Sequence, residues 1–171
     1  MVNISMTQDD YKTANYFTEG VHKVKIDGGL LDKMDDGREY IEIGVVGDDG
    51  EEGNVRFWLH TEASSKYTIR TLQGIAVHNA KEDDKEKVRQ FFTGEFDDKK
   101  IRAVLDKLEG KEAWYSLQKS NRTYQNAQGE TKHSYDRNLT GYEPKPRSMT
   151  VDELLEGSEK VEISDDIPTF N

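Results

Sequence analysis

Three stretches in the first third of the chain alternate apolar and polar side chains. Across 20–27, His22, Val24 and Ile26 fall on one face and Val21, Lys23 and Lys25 on the other. That period of two predicts a strand, and Asp27-Gly28-Gly29 punctuates it. After Asp35-Asp36-Gly37, residues 38–46 are rich in β-branched side chains and predict a second strand. The turn GDDGEEG (47–53) leads into the clearest alternation, 54–61, where Val55, Phe57 and Leu59 point one way and Arg56, Trp58 and His60 the other. The period then lengthens. Ser64 or Ser65 is placed to cap a helix carrying Ile69, Leu72, Ile75 and Ala76. Charge crowds 81–100 around Val88, Phe91 and Phe92, and Ile101, Val104, Leu105 and Leu108 predict a second short helix, stopped by Gly110. Strand pattern returns at 112–119. Residues 126–129 read as a hairpin turn, 130–139 as its returning strand, and Pro144 and Pro146 close the folded part.

The order is three strands, a helical insert of two helices, then two strands. A mainly β fold follows: a five-stranded, partly open OB-like barrel with a helical insert between strands 3 and 4. An α+β sheet with helices packed on one face has the same content, and strand order alone does not choose. Residues 1–18 are expected to form an arm that tucks aromatics from Tyr11, Tyr16 and Phe17 against the body. Residues 19–147 are expected to form the domain and 148–171 a flexible acidic tail.

Composition narrows the function. The 171 residues suit one domain. The absence of cysteine excludes disulfide frameworks, thiolate metal sites and cysteine nucleophiles. No apolar run is long enough to cross a membrane. The first residues lack a basic n-region and an apolar h-region, so a cytoplasmic location is expected. Net charge is 24 − 34 = −10, yet its distribution is uneven. Residues 151–171 hold seven acids and one base, or −6, whereas 111–147 hold seven bases and four acids, or +3. A basic segment therefore runs directly into an acidic end.

Two constellations suit a single-stranded nucleic acid. Arg56, Trp58 and His60 share one face of a strand, where an indole stacks on a base and a guanidinium meets phosphate. The competing view of this row makes Trp58 a core residue. Trp114, Lys119, Arg122, Tyr124, Lys132, Tyr135 and Arg137 interleave cations and rings along the 112–139 hairpin; its competing view is an ordinary exposed hairpin. Catalysis finds little support. The four histidines are scattered, the acidic 47–53 turn lacks the ligand order of an EF-hand, and no phosphate-binding glycine loop is present. No catalytic residue, metal or cofactor is expected, and the chain reads as a binding protein rather than an enzyme.

The C-terminus adds a resemblance. Asp165-Asp166-Ile167-Pro168 followed by Phe170 resembles the acidic tail tip of the single-stranded-DNA-binding proteins of bacteria and their phages, with Thr169 and Asn171 as departures. Across 18–142 the body is similar in pattern to small phage OB-fold proteins encoded among replication and recombination genes. The resemblance implies sequence-tolerant binding of single-stranded DNA in phage replication or recombination, with a tail that regulates access. It also implies that Asp165, Asp166, Ile167, Pro168 and Phe170 recruit replication or recombination proteins. The overall charge of −10 keeps a second expectation open: an acidic decoy that mimics DNA and inhibits a host enzyme.

Overall fold

The computed structural model describes residues 15–145. In chain order these form β1 (Gly20–Lys33), β2 (Glu39–Val46), β3 (Glu52–Trp58), α1 (Glu62–Asn79), α2 (Lys85–Phe91), α3 (Asp98–Leu108), β4 (Glu112–Gln125) and β5 (Thr131–Thr140), with a 3-10 turn over Glu82–Asp84. The strands make one antiparallel sheet in the order β3-β2-β1-β4-β5. Among the described residues no backbone ladder joins β3 to β5, so the sheet is open. It curls far enough for a side chain to cross the gap: Arg137 of β5 donates from Nη1 to Asn54 Oδ1 of β3 at 2.9 Å.

The strands differ from expectation mainly in length. β1 does not stop at residue 27. Its pairing with β2 shifts between Ile26 and Gly28 and continues to Lys33. Gly28 takes φ +136° there, a conformation natural to glycine at a bulge. Gly29 then lets α3 approach, since a Cβ would lie 2.9 Å from Leu105 Cδ2. Two backbone bonds fasten the end of α3 to the bulge: Gly110 N–H to Ile26 O at 2.7 Å and Ile26 N–H to Lys111 O at 2.9 Å. β3 ends at Trp58 rather than running to 61, because Thr61 is the cap of α1. Its hydroxyl accepts from Ser64 N–H and Ser64 Oγ accepts from Thr61 N–H, both at 3.0 Å. This capping box corrects the expected Ser64 or Ser65 cap. The insert holds three helices rather than two, since 85–91 winds into α2.

The core lies on the inner face of the sheet. Val24, Ile26, Ile41, Ile43, Val45, Val55, Phe57, Ala113, Tyr115 and Leu139 point inward, and Leu72, Ile75, Ile101, Val104, Leu105 and Leu108 meet them from α1 and α3. The alternation expected for 54–58 is present: Val55 and Phe57 are buried, and Arg56 is exposed. From the N-terminal arm, Phe17 is buried with its ring 4.9 Å from that of Tyr115. Tyr16 stays exposed, and Tyr11 lies outside the described residues. Just past β5, Gly141 presses on the α1 backbone so closely that an added Cβ would overlap the Gly74 carbonyl. Among the described residues no helix is long and apolar enough to cross a membrane.

A polar clasp ties α1 to β4. Asn79 exchanges two hydrogen bonds with the Glu112 backbone, at 2.7 and 3.0 Å, and the Glu112 carboxylate meets His78 Nε2 at 3.1 Å and Lys23 Nζ at 3.3 Å. The His78 bond, with Lys23 behind it, holds the Glu112 carboxyl below its ordinary value. Such a group adds stability above its unfolded pKa and loses that stability as pH falls through the folded one. Glu112→Gln should therefore be less stable than the parent at neutral pH. In urea titrations that gap should close as the pH falls through and below about 4.3.

Candidate nucleic-acid interface

The outer face of β2 and β3 is where period-two alternation turns its polar side chains. Pairing sets Tyr40 opposite Trp58 and Glu42 opposite Arg56. The result is a layered stack. The Arg56 guanidinium lies 4.0 Å from the Tyr40 ring centroid and 5.9 Å from that of Trp58. Tyr40 meets Trp58 edge-on at 5.7 Å. Arg38, from the turn between β1 and β2, lies 4.9 Å over the Trp58 ring. His60, beyond the end of β3, meets Trp58 edge-on at 5.5 Å. Trp58 is therefore a half-buried residue of the outer face and not part of the core cluster. Its stacking surface is shared with a guanidinium that a base would join or displace.

Carboxylates fix the arginines. Arg56 Nη2 donates to Glu42 Oε2 at 3.1 Å, and Nη1 approaches Met34 Sδ at 3.6 Å. Arg38 donates from Nε to Asp36 Oδ2 at 2.7 Å and from its backbone N–H to Oδ1 at 3.0 Å. The backbone bond first, and then the guanidinium, keep the Asp36 carboxyl below its ordinary value. The Asp36 carboxyl therefore stays ionised, and able to accept from Arg38, through the physiological pH range.

The stack opens into a cleft of about 400 Å³ where β3 nears β5. Arg56 reaches it from β3, Arg122 from β4, and Tyr135 and Arg137 from β5, with Glu42, Asn54 and Asp136 between them. Arg122 Nη2 donates to Asp136 at 2.6 Å and its Nε to Ser120 Oγ at 3.2 Å. Arg137 is bonded to the Asn54 amide. Counting Arg38 and Asp36 with the cleft, four cations face three carboxylates, a balance of +1.

Beyond Ser120 the hairpin leaves the body. β4 runs to Gln125, past the expected 119, and no residue from 121 to 138 is buried. Lys119 pairs across the ribbon with Tyr135, and Tyr124 with Lys132. Tyr124 and Tyr135 are both exposed, and Lys132 meets Glu130 at 3.3 Å. The ribbon thus sets one cation beside one ring at two levels.

Of the residues singled out in the sequence, Arg56, Arg122, Tyr135 and Arg137 converge on the cleft, and Trp58 and His60 border it through the stack. Lys119, Tyr124 and Lys132 lie along the ribbon. Trp114 stands apart. It pairs with Lys23 of β1 and Thr140 of β5 and does not line the cleft, and nine residues along β1 separate Lys23 from Asp32, the partner of Tyr40. Asp165, Asp166, Ile167, Pro168 and Phe170 lie outside the described residues. Sequence reasoning missed Arg38, Tyr40, Glu42 and Asn54. Aligning β2 with β3 across the 47–53 turn would have found Tyr40 and Glu42, since each sits opposite a residue already singled out. Among the described residues no group of three acidic or histidine side chains is placed to hold a metal ion. No protein-family model matches the chain, and no curated protein matches it either.

Proposed function

We propose that this chain is a sequence-tolerant single-stranded-DNA-binding protein, acting in replication or recombination, and not an enzyme. Its open, curled sheet is read as an OB-like barrel whose groove is the cleft between β3 and β5. The observation that carries the proposal is the convergence of Arg56, Arg122, Tyr135 and Arg137 on one cleft that continues into the Arg56–Tyr40–Trp58–Arg38 stack. Bases stack on Trp58 and on guanidinium planes, and the exposed ribbon tyrosines extend the platform. Phosphates replace carboxylates at arginines that already present their donors, and Arg137 needs to give up only a neutral amide. The acidic tail lowers affinity by repelling the same phosphates at long range.

One observation favours the second reading, an acidic decoy: Arg38, Arg56 and Arg122 each already hold a carboxylate. One experiment separates the two. Fluorescence anisotropy of a labelled dT oligonucleotide of about 30 nucleotides, long enough for more than one OB-sized site, compares intact protein with a chain ending at Arg147. Binding that tightens on truncation at low salt, and weakens with added salt in both forms, is expected. No binding by either form at low salt would retire the proposal and leave the decoy.

A further inference from the structure

The three helices leave a groove of about 410 Å³ between them, on a part of the fold that the cleft does not use. Val88 and Phe91 of α2 and Leu108 of α3 line its floor, and Phe91 remains 42% exposed. Its rim carries three cations, Lys87, Lys107 and Lys111, and one carboxylate, Asp84, a balance of +2. Lys87 reaches Asp84 only at 3.9 Å, and Lys107 lies 5.4 Å from the centroid of the Phe91 ring. Among the described residues, Lys107 and Lys111 have no carboxylate within 4 Å. An exposed apolar floor with an ammonium rim, on a chain of net −10, suits an occupant that is both apolar and acidic.

The chain supplies such an occupant. Residues 152–156 read Asp-Glu-Leu-Leu-Glu, two leucines flanked by three carboxylates, within a segment of −6. We propose that this C-terminal segment docks in the groove between α1, α2 and α3, with Leu154 and Leu155 on the apolar floor and the carboxylates at the lysine rim. The path is short. The chain passes Gly74 of α1 at Gly141, and Gly74 is five residues, about 7.5 Å of helix, from Asn79, which lines the groove. Thirteen residues separate Gly141 from Leu154, enough extended chain for about 43 Å. The cleft between β3 and β5 is a poorer host for the same segment. Two of its three arginines, Arg56 and Arg122, already hold carboxylates, and Val55 is the one aliphatic side chain that lines it.

This inference does not depend on the nucleic-acid reading, and its test needs no DNA. Because the sequence has no cysteine, Ser158→Cys gives the full chain a single site for a nitroxide label. Amide spectra of the labelled, isotope-enriched protein should show signal loss at Ala80, Val88, Phe91, Lys107 and Lys111. The signals should recover when the label is reduced, at high salt, and in a second chain that also carries Leu154→Asp and Leu155→Asp. Loss centred on Arg56, Arg122 and Arg137 would place the segment in the cleft and overturn the proposal. Loss spread evenly over the surface would overturn it too. Loss that appears equally when labelled unenriched chain is mixed with enriched unlabelled chain would assign the occupant to a second copy.

Discussion

Trp58→Ala should weaken binding of a dT oligonucleotide by about 1–3 kcal/mol, a factor of about 5 to 150 in Kd. The ring is the centre of the stack: Tyr40 and His60 meet it edge-on, and Arg38 lies over it. Removing it takes away a stacking surface and also the ring over which the Arg38 guanidinium sits. Trp114→Ala is the internal control. Trp114 belongs neither to the stack nor to the cleft lining and sits beside Lys23, and its loss should leave affinity nearly unchanged. Equal effects at the two tryptophans, with both variants folded by circular dichroism, would remove the stack from the site. Arg137 tests the other half of the mechanism. Arg137→Gln should flatten the salt dependence by about 0.7 in the log–log slope, one lost phosphate contact on a single strand.

The second large effect concerns stability. Gly141→Ala should destabilise the protein by about 3 kcal/mol, the upper end for overpacking, and lower Tm by roughly 10 °C for a folded region of this size. The atoms that a Cβ would meet are the Gly74 carbonyl and the Ile75 nitrogen, all backbone of α1. No rotamer change relieves that overlap. Either α1 lifts from the sheet, exposing the fully buried Leu72 and Ile75, or the chain past β5 is displaced. The partner glycine predicts the opposite sign. A Cβ at Gly74 meets nothing within 4 Å, so Gly74→Ala, in the interior of α1, should stabilise by about 0.5–1 kcal/mol. Thermal melts of the two variants side by side check both. A Gly141→Ala chain as stable as the parent would show that helix and strand do not meet this tightly in solution.

The fold was legible in the sequence wherever one rule acted alone. Val55 and Phe57 alternate with Asn54 and Arg56, and the strand is there. Ile101, Val104, Leu105 and Leu108 keep helical spacing, and all four are buried in α3. It was illegible where a distant element overrode a local signal. Gly28-Gly29 looks like the end of a strand, because glycine usually weakens one. The pair instead carries β1 through a bulge beneath Leu105, a contact between residues 76 positions apart. The turn at 126–129 and the returning strand of the β4–β5 hairpin were legible, but the stretch of β4 from 121 to 125 was not, because there no buried face imposes alternation. The site divides the same way. Arg56 and Trp58 are readable as one face of one strand. The meeting of Arg56 with Arg122 and Arg137 depends on how far the sheet curls, which no spacing along the chain encodes.

The gap between β3 and β5 also sets a limit on how stable this protein is able to become. Full closure would pair two rows of peptide groups that now face each other across one arginine–asparagine contact, and the added ladder would strengthen the fold. It would also fill the space that Arg56, Arg122 and Tyr135 line. Under the proposed function, zipping the seam would gain stability and close the binding cleft, so the seam is where the two would trade against each other in this fold.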